Sequence, residues 1–145
     1  MQHTQRYASE KALVNKAMRL LRSGDGPWCK LQLGTEFNYL RGRPDIIALA
    51  KKKELLAFEA KLKRWRNALN QAYRNTCFVH RSFVILPQET AALALKHRHE
   101  FERRAIGLCS VSSDKIEILI PAPFNQPLQP QLSIKAAVSL KGVKK

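Results

Sequence analysis

The sequence predicts an α/β domain, a mixed central sheet flanked by helices. Its elements run in the order helix, three strands, helix, strand, followed by a C-terminal helix and hairpin. Three observations predict it. Two β-rich apolar runs, residues 45–50 and 54–62, are separated only by Lys51, Lys52 and Lys53, the pattern of an antiparallel hairpin. A helical stripe of Trp65, Ala68, Leu69, Ala72 and Tyr73 follows the second run directly. The apolar run Phe83, Val84, Ile85 and Leu86 comes next and is stopped by Pro87, so strand, helix and strand succeed one another.

The first helix occupies residues 9–22, where Leu13, Val14, Ala17, Leu20 and Leu21 recur at helical spacing and Ser23, Gly24, Asp25 and Gly26 end it. Glu10 lies one turn before Leu13 and Val14 and shares their inward stripe, away from Lys11, Lys16 and Arg19. A first-turn acid that complements the helix dipole accounts for it equally well. Residues 27–37 read as the first strand through Trp28, Leu31, Leu33 and Phe37, with Gly34 as a bulge or break. Glu36 near its end is either a further site acid or a solvated charge. The loop 38–43 brings Arg41 and Arg43 up to Asp45, placed to bind a backbone phosphate rather than to catalyse.

In the helix of residues 63–75, Lys63, Arg64, Arg66 and Arg74 lie largely off the apolar stripe, with Gln71 and Arg74 near its edge. Residues 88–104 read as one more helix. Its His97 and His99, at i and i+2, do not face each other and read as a basic surface turn rather than a metal pair. Residues 106–111 and 116–120 form a last hairpin. Residues 1–121 are therefore expected to be the folded domain and 122–145 a Pro-rich and then basic tail. The end of that tail, 133–145, carries four Lys and no acid, forms a short helix at most, and is expected to be mobile.

Composition bounds the partners. With 26 Lys plus Arg against 11 Asp plus Glu, the net charge of +15 points to nucleic acid. No run approaches the ~18 apolar residues of a membrane span, and residues 1–11 lack a signal-like apolar core, so a cytoplasmic or nucleoid-associated protein is expected. Cys29, Cys77 and Cys109 show no Cys-x-x-Cys spacing and read as small buried residues.

The hairpin carries the chemistry. With a three-residue loop, Ala50 pairs with Glu54 and Asp45 falls opposite Glu59, so the two carboxylates share a face with Lys61. Like charges across a ladder in apolar strands call for a cation. Mg²⁺, or Mn²⁺ in its place, suits oxygen ligands, binds through one or two acids and completes its shell with water and substrate phosphate. Lys61 would orient the attacking water or hold the phosphate. Acid-x-Lys triplets on solvated strands are common, but here Leu55 and Ala57 flank Glu59, and Leu56, Phe58, Ala60 and Leu62 make the other face apolar.

Pro44 and Asp45, followed by Glu59, Ala60 and Lys61 in a strand and then a helix, resemble the PD-(D/E)XK nuclease superfamily, which includes restriction enzymes and archaeal Holliday-junction resolvases. The resemblance runs from the first helix to about Pro121 and implies a restriction endonuclease-like core and Mg²⁺-dependent cleavage of nucleic acid, structured or branched DNA included. It also implies a metal contact from the first-helix glutamate, here Glu10, a ligand from the Ala60 carbonyl, and a supporting role for Gln71. It leaves a homodimer open, since junction cutting needs two sites. Arg41, Arg43, Lys51, Lys52, Lys53, Lys63, Arg64, Arg66 and Arg74 would hold the backbone without reading sequence. The competing readings are a non-catalytic nucleic-acid-binding protein on the same fold, and a basic interaction module, which leaves the acids unexplained.

Overall fold

The structure of the chain is a computed structural model that describes residues 7–39 and 42–143. Helix α1, Glu10–Ser23, starts where the Ser9 hydroxyl accepts the Ala12 N–H at 3.1 Å and stops where Gly24 turns left-handed, at φ 76°. Leu13, Ala17, Met18 and Leu21 form its buried stripe. Strands β1, Gln32–Gly34, β2, Ile46–Leu49, and β3, Leu55–Ala60, follow. Helix α2, Trp65–Asn75, leads into β4, Arg81–Pro87. Helices α3, Gln88–Leu95, and α4, Arg98–Arg103, precede β5, Gly107–Val111, and β6, Ile116–Ile120, and helix α5, Pro130–Val143, comes last.

The six strands form one sheet in sequence order. The pairs β3/β4 and β4/β5 are parallel and the others antiparallel, so the sheet is mixed and flanked by helices, as the sequence predicts. Its parallel centre is buried on both faces, which is why β3 and β4 read as near-continuous apolar runs. On one face, α1 packs Leu13, Ala17 and Leu21 against Leu56, Phe58, Ile85 and Cys109. On the other, Trp65, Ala68, Leu69 and Ala72 of α2 meet Val84, Leu86 and Phe101, and α5 sets Ala136 and Leu140 against Ile47, Leu49, Leu55 and Ala57.

Several expectations are corrected. The first strand spans only Gln32–Gly34, because Lys30 (φ 58°) and Glu36 (φ 64°) adopt left-handed conformations that end the ladder on either side. Gly34 is the last residue of the strand. It pairs with Ile47, and a Cβ there would lie 2.6 Å from Leu140 Cδ2, so the missing side chain makes room for α5. The helix expected over 88–104 is interrupted at Lys96 and His97 into α3 and α4. Tyr73 leaves the apolar stripe and is exposed, while Asn75 takes a buried place on that helix. Cys77 and Cys109 are buried, but Cys29 is exposed. The short C-terminal helix expected within 133–145 is α5, but buried Ala136 and Leu140 hold it against the sheet rather than leaving it a mobile tail; Lys144 and Lys145 lie outside the described residues.

Candidate active site

The hairpin register is the predicted one. Ala50 N–H donates to Glu54 O at 2.8 Å, Ile46 pairs with Phe58, and the next position outward sets Asp45 against Glu59. The three-residue connection Lys51–Lys53 closes with Lys52 (φ 63°) and Lys53 (φ 64°) both left-handed. Asp45 Oδ2 accepts the Ala60 N–H at 2.8 Å, which fastens the entry to β2 onto the end of β3.

Glu59 is only 4% exposed and Asn75 only 1%. Asn75 Nδ2 donates to Glu59 Oε2 at 2.7 Å, and the Tyr39 hydroxyl donates to Asn75 Oδ1 at 2.6 Å. Tyr39 is itself wedged among Phe37 and Phe78, with ring centroids 6.5 and 4.8 Å away. An aromatic cluster therefore fixes a phenol, the phenol orients an amide, and the amide orients a carboxyl.

The Asp45 and Glu59 carboxyls are close enough to act on each other's proton affinity. Burial, and then the charge of Asp45, push Glu59 up to about 8, against the Asn75 hydrogen bond and Lys61, which favour its ionised form. Burial also raises Asp45, opposed first by the Ala60 N–H. Both shifts favour a proton shared by the pair in the absence of a cation.

Lys61 lies one residue past β3, where its N–H still donates to Ile85 O at 3.2 Å. Its Nζ is 3.6 Å from Glu10 Oε1. Glu10 belongs to the helix on the opposite face of the sheet, so the two layers meet at the ends of β2 and β3. Glu10, Glu36, Arg43 and Asp45 line a cleft of about 290 Å³ there. On the α2 side, Tyr39, Arg43, Glu59, Gln71, Arg74 and Asn75 line a smaller cavity of about 50 Å³.

The structure thus brings together Asp45, Glu59, Lys61, Glu10, Gln71, Arg43 and Arg74, and adds Glu36. Lys63 and Arg64 are exposed in the bend between β3 and α2, at the same end of the sheet. Lys51, Lys52 and Lys53 are not near the site. They sit at the far end of the hairpin, five residues up each strand, roughly 17 Å away at about 3.3 Å per residue. Arg66 is committed within the fold, with Nε and Nη2 at 3.1 and 2.8 Å from the Glu100 carboxylate and its guanidinium 4.2 Å over the Trp65 ring. Arg41 lies outside the described residues. Neither Asn75 nor Tyr39 stands out in the sequence pattern as a site residue. For Asn75 a signal exists, since it stands four residues after Gln71 and shares its helix face.

Among the described residues, no group of three His, Cys, Asp or Glu side chains is placed to hold a metal ion. That is compatible with Mg²⁺, for which one or two carboxylates suffice alongside water and phosphate oxygens. Asp45 and Glu59 each engage one oxygen with a protein N–H, and their facing, mutually repelling oxygens fit a small hard cation.

No family model matches the chain, and no curated protein matches it. Among solved structures, the chain is similar to the SPO1766 protein of unknown function from Silicibacter pomeroyi, with a TM-score of 0.65 at 20% identity over 93% of this chain and 84% of that one. That likeness shows the fold. The chain is also similar to a repair endonuclease from Pyrococcus abyssi, with a TM-score of 0.44 at 14% identity over 77% of this chain and 50% of that one, a level that carries no weight for function. Among the described residues, no helix is long and apolar enough to cross a membrane.

Proposed function

We propose that the chain is a metal-dependent nuclease that hydrolyses phosphodiester bonds of DNA. One observation carries this reading: the buried carboxyl of Glu59 and the half-buried carboxyl of Asp45 stand against each other at a strand end within reach of a lysine, on a protein of net charge +15. Two acids set against each other in an apolar sheet cost stability unless a cation offsets them. A structural role alone would be met more cheaply by a neutral pair.

Mg²⁺, or Mn²⁺, would be held by Asp45 and Glu59 with the Ala60 carbonyl, and when bound it supplies Lewis-acid polarisation of the phosphate and a lowered pKa of water. The remaining work belongs to the chain. Asn75 keeps the Glu59 carboxyl in its rotamer, and the Ala60 N–H does the same for Asp45. Lys61 orients the attacking water or steadies the phosphate oxygen, and Glu10, 3.6 Å from the Lys61 ammonium, would add an outer contact to the ion. Arg43, Lys63 and Arg64 bind the backbone, contributing affinity that falls with salt.

The test is cleavage of labelled duplex, single-strand, nicked, flap and four-way-junction DNA with Mg²⁺ or Mn²⁺, comparing wild type with Asp45→Asn and Lys61→Ala. Metal-dependent cutting that both substitutions abolish supports the reading. If wild type cuts none of the panel with either metal while binding DNA, the enzyme reading fails and the acids are structural.

A further inference from the structure

We infer that the small cavity beside Glu59 is a subsite for one phosphate group of the bound nucleic acid, gripped by Arg43 and Arg74 and hydrogen-bonded by Gln71. The inference rests on the nuclease reading of the neighbouring carboxylates and adds the place where the substrate backbone leaves them.

Availability is the first argument. Arg66, Arg81 and Arg98 are paired with Glu100, Glu54 and Glu102, and Arg104 donates to Asn70. Arg43 and Arg74 make no side-chain hydrogen bond or ion pair among the described residues, yet both line this one cavity. They come from different parts of the chain, Arg43 from the segment before β2 and Arg74 from the last turn of α2, so the fold rather than local sequence converges them.

Chemistry and size make the second argument. The Tyr39 hydroxyl and the Asn75 amide are engaged with each other and with Glu59. A ligand in the cavity therefore meets mainly guanidinium N–H donors and the Gln71 amide, which match the oxygens of a phosphate. At about 50 Å³ the cavity exceeds the ~10–15 Å³ that one water needs, and it opens to solvent. Glu59, the acid in its wall, is the residue whose charge the cation would offset.

Placement is the third. Gln71, Arg74 and Asn75 fall at i, i+3 and i+4 and so share one face of α2. The larger cleft lies on the other side of Asp45 and carries the acids Glu10 and Glu36. A strand whose reacting linkage lies over Asp45 then presents a neighbouring phosphate to the small cavity. That phosphate is either an internal diester or a terminal monoester.

The experiment measures binding without cutting, with Ca²⁺ in place of Mg²⁺, on fluorescent oligothymidylates. One set carries a single neutral methylphosphonate at each internal linkage in turn. A second set ends in a 5′-phosphate, a 3′-phosphate or plain hydroxyls. Wild type should lose about ten-fold in affinity when the relevant phosphate is neutralised or removed, the effect of one charge-assisted contact. In Arg74→Ala and Arg43→Ala that same change should cost nothing further. Coupling to an internal linkage identifies a diester, and coupling to an end group identifies a strand terminus.

If both variants weaken all oligonucleotides by one common factor, whichever phosphate is altered, the subsite is overturned. Arg74→Gln and thermal melting serve as controls for folding, since both arginines are exposed. The parent reading fails separately: coupling present with no cleavage by wild type under Mg²⁺ or Mn²⁺ removes the nuclease and keeps the subsite. Cleavage that Asp45→Asn abolishes, with no coupling, removes the subsite alone.

Discussion

Asn75 Nδ2 lies 2.7 Å from Glu59 Oε2, a contact between the last turn of α2 and the end of β3 made entirely inside the protein. Its donor favours the ionised carboxyl, and its acceptor is filled by the Tyr39 hydroxyl. Replacing Asn75 by Ala leaves the buried Glu59 carboxyl without its amide donor, at a cost of about 1–3 kcal/mol. Urea unfolding of Asn75→Ala should show that loss, and Tyr39→Phe a smaller one. Unchanged midpoints in both variants would mean that the contact orients nothing.

Stability should fall as pH rises through the range that Glu59 spans. Its folded value is raised to about 8 from an ordinary 4.5, so between those limits the folded state binds more protons than the unfolded one. Asp45 is shifted in the same direction. In EDTA the melting temperature should therefore decline from pH 5 to pH 9. The decline should reach several degrees, since each tenfold difference in proton affinity between folded and unfolded states is worth roughly 1.4 kcal/mol. Glu59→Gln, or saturating Mg²⁺, should flatten it. A wild-type profile in EDTA that is already flat would contradict the raised proton affinity of Glu59.

His80 should act with the opposite sign at lower pH. Its Nδ1 accepts the Leu55 N–H at 2.9 Å, and burial holds its pKa below the ordinary 6.5. The unfolded state then binds the extra proton first, so stability is lost as pH falls below about 6.5. His80→Asn, whose Oδ1 can take over as acceptor, should keep most of the stability at pH 7 and remove the acid limb. Retention of that limb in the variant would assign it to another group.

Glu10→Gln separates a site role from a helix-dipole role. The Lys61–Glu10 pair spans 3.6 Å with Glu10 side-chain exposure of 47%, so its loss should change stability by less than about 1 kcal/mol. Under the proposed function the Mg²⁺ concentration for half-maximal cleavage should nevertheless rise several-fold. A variant with wild-type metal dependence would leave Glu10 as a first-turn acid and no more.

Leu140 tests the place of α5. It is 3% exposed against Ile47, Leu49 and Ala136, and truncation to Ala should cost about 2–5 kcal/mol. A mobile tail would tolerate the change without effect, which equilibrium unfolding would reveal at once.

What the sequence determined by itself is whatever short-range spacing encodes. Three lysines between two apolar runs set the loop length, the loop length set the register, and the register set Asp45 opposite Glu59. Ser9, Gly24 and the period of Leu13, Ala17 and Leu21 delimited α1 in the same way. The tertiary structure decided what lies across long separations, where no period reports on a partner. Asn75 meets Glu59, Tyr39 meets Asn75 and Glu10 meets Lys61 only because α1 and α2 cover opposite faces of the sheet and converge at one strand end. The C-terminal segment shows the same limit, because its apolar residues and scattered lysines read as a tail until Gly34 opens a place for Leu140. A vacancy one side chain wide on a distant strand leaves no periodic trace, and packing alone reveals it.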